Sequence, residues 1–598
     1  MTAALIGAWA AALAAVLVLA LAAHTVGGWM MRAAPPELAP EVRELCGMGA
    51  LGVGLFLIGM LFWSRGMLLV LLLPLAAIGV FQVRTAGRWP RWQQGRNWIL
   101  LTLPLLFYLG LDALVPPMGN IGEDGVAYHL VGPLQWLRLH HIVALHDNFP
   151  TTYPALVETL FGAVTGLANV RGAELVALLF ALLLLRQVWG LVRNWGGDAW
   201  TAGLAVALLA AMPGVMEFAT RPFVDVAYAA FALASARVAW AASRRPHWIL
   251  AGALAGFCVG IKYTGLILVA GTVMALWLVR DRLPGGRPGW RRLGLFAATA
   301  LLVGGAWYLR NAIVFLAPVY PLPLVAGNHW PGRYFPPAAV HAFEQYMVRR
   351  GAGMGRGPLA LLLLPFHLTY AANLFHGAGG IGLVPLAFLP AAIARLRRQA
   401  QTRFWFTWAG ILGLLWFLSD QEFRYLMPVA AVWIVAAAIG GGELLRRGPL
   451  ALRTVAWLTV IASLAYGTGV VAWDGGVRAR RVASLRSPAA AQRLWDRKVP
   501  YARALAFLNA EPDPGSVLLL DPSVLTYYLH RPYQVIRGPY GEQPLGPLTI
   551  AQALDRLPEQ GITEVVDVRS EFSGFRLTPR PGWRLEFSTA DARIYRVR

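Results

Sequence analysis

Long apolar runs, broken by short arginine-bearing stretches, set the pattern of this chain. They fall near 3–23, 46–63, 67–83, 98–115, 172–192, 200–216, 224–241, 248–260, 262–279, 293–310, 380–394, 404–418, 424–444 and 452–473. A bilayer-crossing helix takes about 20 apolar residues, so the pattern predicts an all-α polytopic membrane protein of about fourteen spans. The alternating ten-residue segments of an outer-membrane barrel are absent. The first run is too long for a signal peptide and lacks a small-residue cleavage pattern, so it reads as a span. Two further apolar stretches, 153–168 and 358–376, would reverse the sidedness of every later loop if they crossed. They are expected to lie on, or dip into, the outer interface.

Arginine fixes the orientation. Clusters stand at Arg84, Arg88, Arg91 and Arg96; at Arg237, Arg244 and Arg245; at Arg280, Arg282, Arg287, Arg291 and Arg292; at Arg395, Arg397, Arg398 and Arg403; and at Arg446, Arg447 and Arg453. Cytoplasmic loops carry such excesses. The segments 116–150, 217–225, a tight turn near 260, 311–379, 419–424 and everything after 474 then face outward. The last part changes character: 12 of the chain's 30 acidic residues lie in 475–598, with β-type runs at 516–520, 562–568 and 592–597 and helical patterns at 499–510 and 549–558. The expected organisation is additional transmembrane helices over 1–97, a transmembrane catalytic domain over 98–474, and a small α/β domain outside the membrane over 475–598.

Composition agrees. The chain is 57% hydrophobic and only 14% charged, against roughly 45–50% and about 25% for soluble domains. The net charge of +22 superficially suggests nucleic acid. Its placement between apolar runs instead writes membrane topology, and no nucleic-acid partner is expected. Cys46 and Cys258, both in apolar stretches, allow neither a disulfide framework nor a cysteine metal pair.

Ionisable groups near spans are costly and are candidate functional sites. The first outward loop carries Glu123 and Asp124 in EDGVAYH, and Asp225 opens a span in RPFVDVAY. An ordinary helix cap is the simpler account of either acid. Two outward carboxylates at span ends in an acid-poor chain argue for more. Lys262, in GIKYTG, is one of only two lysines; a snorkelling side chain competes with a compact ammonium for a phosphate. Arg310 and Arg424 are outward arginines in a chain that keeps most arginines inside, and a lipid phosphate is the natural anion to offset them. Tyr128, His129, Tyr263 and Tyr425, from the same motifs, are candidate substrate-binding residues. The outward histidines His129, His140, His141, His146, His329, His341, His367 and His376 match no HExxH spacing, so no metal site is expected. No Walker loop, dinucleotide fingerprint or nucleophile elbow occurs, and no cofactor is expected.

Taken in order, EDGVAYH, FPTTYPALVETLFG, RPFVDVAY, GIKYTG, WYLRNAIVFLAPVYP and SDQEFRYLMP resemble the GT-C superfamily of polyprenyl-phosphate-sugar-dependent glycosyltransferases. The likeness is to the protein-mannosyltransferase and aminoarabinose-transferase-like group of bacterial membrane enzymes, over roughly 98–445. The resemblance implies a multi-pass protein of the cytoplasmic membrane, with its active site and C-terminal domain on the periplasmic or extracellular side. It implies Asp124, with Glu123 beside it, as general base; Asp225 as a second acid that orients the acceptor or the sugar; and Lys262, Arg310 and Arg424 as cations for the donor phosphate. Single displacement would invert the anomeric carbon. Partners would be a polyprenyl-phosphate sugar, membrane lipids, and a lipid, glycan or protein acceptor. One departure concerns the second loop: DNFPTTYP lacks the cationic residue that the aminoarabinose branch carries before its proline, so that branch's substrate is not carried over. Alternatives are a transporter or lipid flippase without sugar-transfer chemistry, and a non-catalytic envelope protein. A transporter would place its polar groups at the bilayer midplane; here they gather at one surface.

Overall fold

The structure is a computed structural model that describes residues 3–86, 96–113, 115–119, 124–322, 353–377, 380–397, 399–484, 487–499, 501–511, 515–520, 525–536, 550–555, 557, 560–568 and 577–597. Glu123, His329 and His341 lie outside the described residues. Among the described residues, eighteen α-helices precede the C-terminal domain: α1 (Ala3–Met30), α2 (Ala39–Gly59), α3 (Arg65–Ala86), α4 (Arg96–Asp112), α5 (Val131–Leu139), α6 (Leu156–Leu167), α7 (Arg171–Asn194), α8 (Ala199–Ala210), α9 (Pro213–Ala219), α10 (Asp225–Trp240), α11 (Arg245–Val259), α12 (Thr264–Leu278), α13 (Trp290–Phe315), α14 (Pro358–Tyr370), α15 (Leu383–Leu396), α16 (Ala400–Leu418), α17 (Met427–Arg447) and α18 (Leu450–Ser484).

Each of the fourteen apolar runs lies mainly on a helix. Among the described residues, seven helices are long and apolar enough to cross a membrane. An eighth span arises if α8 and α9, bent by 67° at Met212-Pro213, are taken together. Proline there has no N–H to continue the ladder. The count of fourteen is therefore not reached by length and composition. Several runs end in polar turns after 14 to 16 helical residues, as in α15, α12 and α10.

Burial sorts these helices. Every residue of α10, from Asp225 to Trp240, is buried, as expected for a helix apolar all round. Helix α10 packs on α7 and α11, and α11 on α13. The stretch 153–168 forms α6, at 12 residues about 18 Å long and too short to cross. It is buried from Leu156 to Thr165, packed by α1, α2, α3, α5 and α7. By contrast α14 keeps Leu359, Leu361, Leu362 and Phe366 exposed.

The additional N-terminal helices are tied in at the arginine-rich end. Arg237 of α10, 2% exposed, donates to Glu41 of α2 and to Asn194, and to Gln187 Oε1 of α7 at 2.7 Å. Arg186 Nη1 donates to Glu44 Oε2 at 2.6 Å.

Beyond the membrane helices lie α19 (Pro488–Lys498), α20 (Ala502–Ala510) and a five-stranded sheet. Its strands are β1 (Ser516–Leu519), β2 (Tyr533–Val535), β3 (Ile562–Val568), β4 (Arg584–Ser588) and β5 (Ala592–Arg596), in the order β2-β1-β3-β5-β4. β1 runs parallel to β2 and β3; β5 is antiparallel to β3 and β4. The three apolar strands match the sequence reading. β2 and β4 were not anticipated, because one has three residues and the other is a largely exposed edge without alternation. Helix α18 continues to Ser484, so the change of composition at 475 falls within a helix.

Removing one member of a buried ion pair leaves the other uncompensated, at about 3–5 kcal/mol. Glu41→Ala should therefore lower the thermal unfolding temperature in detergent by several degrees, whereas Arg287→Ala, at an exposed pair, should leave it unchanged.

Candidate functional site

At the end of the bundle opposite the arginine clusters lies a cavity of about 360 Å³. The loop 124–154, the α11–α12 turn and the segment 416–429 close around it.

Asp124 begins a short π-helical turn, Gly125–His129, in which the Leu130 N–H bonds to the Gly125 carbonyl at 3.0 Å. Such single turns are rare and recur at functional sites. The extra residue turns Tyr128 and His129, i+4 and i+5 from Asp124, toward one cavity. Glycine is required at 125, since a Cβ there would stand 2.8 Å from Pro222. Asp124 does not cap this turn. Its Oδ2 accepts from Tyr128 Oη at 3.0 Å and from Arg424 Nη1 at 2.5 Å.

Asp225 occupies the first turn of α10, and no side-chain cap bond forms at that terminus. Its Oδ1 accepts from Lys262 Nζ at 2.6 Å. Lys262 lies where α11 doubles back into α12, and its ammonium sits 4.6 Å from the centre of the Tyr425 ring. The turn is tight: a Cβ on Gly265 would stand 2.4 Å from the Cys258 carbonyl oxygen. Arg424 arrives on a 3₁₀ turn, Phe423–Leu426, ahead of α17. That turn is pinned by Trp416 Nε1 donating to the Glu422 carbonyl at 2.8 Å. The Arg424 guanidinium lies 5.6 Å from the Phe223 ring and 5.3 Å from the Tyr425 ring.

The sequence candidates therefore separate. Asp124, Tyr128, His129, Lys262, Tyr263, Arg424 and Tyr425 line the cavity. Asp225 sits behind Lys262, 2% exposed. Arg310 was expected beside a donor phosphate; it stands off the wall instead. Its guanidinium donates to the Thr152 carbonyl and to Asn311 Oδ1, because α13 ends against the 149–153 segment. Asn311 Nδ2 donates in turn to Tyr263 Oη at 3.0 Å, and Tyr263 Oη to the Tyr320 carbonyl at 2.8 Å. Arg310 thus holds the wall in place.

Three acids on the wall, Glu158, Asp420 and Glu422, were not singled out from the sequence. Glu158 of α6 accepts from or donates to His129 Nδ1 at 2.6 Å, and Glu422 does so with His376 Nδ1 at 2.9 Å. A lone acid within an apolar helix was the available signal for Glu158. Among the described residues no group of three or more His, Cys, Asp or Glu side chains is placed to hold a metal.

The C-terminal domain grips the loop that forms this wall. Arg138 Nη2 donates to the Leu529 carbonyl at 2.8 Å, and the Gly119 N–H donates to Tyr528 Oη at 3.0 Å. Asp147, two residues before Phe149 on the wall, accepts from Tyr533.

No protein-family model matches the chain, and the comparison with curated proteins finds no match. Solved structures share its fold. ArnT from Cupriavidus metallidurans bound to undecaprenyl phosphate superposes with a TM-score of 0.55 at 15% identity, covering 83% of this chain and 97% of that one. The apo state of the same protein gives 0.53 at 15% identity, covering 84% and 98%. The chain therefore shares the fold of that protein, helical with a small C-terminal sheet domain, as the sequence reading expected.

Burial under the C-terminal domain raises the Asp147 carboxyl from 3.8 to about 6. The docked state thus holds the proton more tightly than the undocked one, and docking weakens as pH rises between those two values. The unfolding temperature of wild type minus that of Asp147→Asn should fall over this interval and level off above it. A difference that does not vary with pH would refute the assignment.

Proposed function

We propose that the protein is an inverting glycosyltransferase that moves a sugar from a polyprenyl-phosphate donor to a hydroxyl-bearing lipid, glycan or protein on the outer face of the cytoplasmic membrane. One observation carries this reading: Asp124, Arg424 and Lys262, distant in sequence, meet on one cavity in a fold shared with a protein that binds undecaprenyl phosphate. The donor phosphate lies between Lys262 and Arg424. Lysine has three donors and arginine five, so each keeps hydrogens for the phosphate beyond those given to Asp225 and Asp124. As the phosphate draws on Arg424, the Asp124 carboxylate is freed to act as base. It takes the proton from the acceptor hydroxyl while that oxygen attacks the anomeric carbon. The bond from carbon to phosphate oxygen breaks on the opposite side, and the lipid phosphate leaves with the electron pair, stabilised by the two cations. Asp225 orients Lys262, and Arg310 positions the opposing wall. Nucleotide sugars are confined to the cytoplasm, which suits a lipid-linked donor.

Three outcomes follow. Asp124→Asn should reduce transfer on the order of 10²- to 10⁴-fold. This is read by mass spectrometry of envelope glycolipids and glycoproteins from wild-type, deletion and variant cells; a variant profile identical to wild type would remove Asp124 as base. Arg424→Ala should weaken undecaprenyl phosphate binding by the purified protein about tenfold or more, since a charge-assisted contact contributes about 1.5–3 kcal/mol; equal affinity would exclude Arg424 from the phosphate site. With Cys46 and Cys258 buried, a membrane-impermeant maleimide should label Asp591→Cys on intact cells and Arg287→Cys only after lysis. The reverse order would invert the topology.

A further inference from the structure

On the side of the cavity formed by α6, two polar residues stand among apolar ones. His129 Nδ1 and Glu158 Oε1 are 2.6 Å apart, with side chains 2% and 10% exposed. Both line the cavity that holds Asp124, Lys262 and Arg424. Among the described residues, His129 Nε2 and Glu158 Oε2 are buried without a hydrogen-bond partner, a costly state for polar atoms. Helix α6 does not need the pair for its packing. Leu156, Leu160, Phe161 and Val164 already seat it in the core, and apolar side chains at 129 and 158 would seat it better.

We propose that His129 and Glu158 form the subsite for the sugar ring of the lipid-linked donor, binding its hydroxyl groups. This rests on the reading of the cavity as a donor site and adds the element that recognises the sugar. The Glu158 carboxylate accepts the Nδ1 hydrogen, which fixes the tautomer and leaves Nε2 as an acceptor. Glu158 Oε2 is a second acceptor on the same rigid pair. The two acceptors suit the hydroxyls of a pyranose or furanose, each of which donates one hydrogen. A polyprenyl chain has no O–H or N–H to give them. A phosphate is repelled by Glu158 and drawn to Lys262 and Arg424. The phosphate thus goes to the two cations and the sugar to the His129–Glu158 pair. Tyr128, whose ring centre lies 4.2 Å from that of His129, and Tyr153, also on the wall, offer flat faces to the C–H side of a sugar.

The test compares lipids that differ only in the sugar. The full chain in nanodiscs is titrated with undecaprenyl phosphate and with undecaprenyl phosphates carrying a panel of neutral hexoses and pentoses. The wild type should bind at least one sugar-bearing lipid about tenfold tighter than undecaprenyl phosphate. Glu158→Gln and His129→Phe should each remove most of that preference while leaving undecaprenyl phosphate affinity within about twofold, which also reports an intact fold. Should His129→Phe fail to fold, His129→Gln takes its place. Variants that retain the sugar preference overturn the proposal. So does a wild type with no preference across the panel, although the lipid-phosphate reading then survives. A wild type that does not bind undecaprenyl phosphate overturns the donor site and this subsite together.

Discussion

Four charges held at the ends of apolar helices constrain the rest of the molecule. Taking an ion out of water costs several kcal/mol, and a partner offsets it only when the geometry is close to ideal. Asp225 on α10 meets Lys262 on the α11–α12 turn, and Asp124 meets Arg424 some 300 residues later. Each pair ties the end of one helix to another element, so α10, α11, α12 and α17 must keep their relative heights for either pair to form. The full burial of α10 and the close approach of Gly265 to Cys258 fit this requirement.

The parts outside the shared charge cluster act on it from behind. The sequence offered no role for the first three helices. In the structure α2 backs α6 so closely that a Cβ on Gly52 would stand 2.8 Å from Leu156, and α6 carries Glu158 to the cavity. The loop between Asp124 and α6 is fixed from within, where Asn148 Nδ2 donates to the Ala127 carbonyl at 2.8 Å. From outside it is held by the C-terminal domain through Leu529 and Tyr533. The wall is thus held from two sides.

The likeness to ArnT lies in the backbone: at 15% identity few side chains are shared. A fold supplies positions, while chemistry resides in the side chains that occupy them. Here Phe149, Pro150, Tyr153 and Pro154 form part of the wall, on a segment that Arg310 and Asn311 hold at the Thr152 carbonyl, and a His–Glu pair also lines the cavity.

By itself the sequence determined the helical class, the location of each apolar helix, the arginine-rich end and the apolar strands of the sheet domain. These follow from hydrophobic periodicity and charge placement, which are local properties. It also singled out Asp124, Lys262 and Arg424, because a charge beside an apolar span is conspicuous wherever it points. Only the tertiary structure decided which of these groups meet. Pairing across 300 residues depends on helix heights and crossing angles that no local pattern encodes. It turned Arg310 onto backbone carbonyls and placed Asp225 behind Lys262. It packed α6 among five other helices and so brought Glu158 to His129.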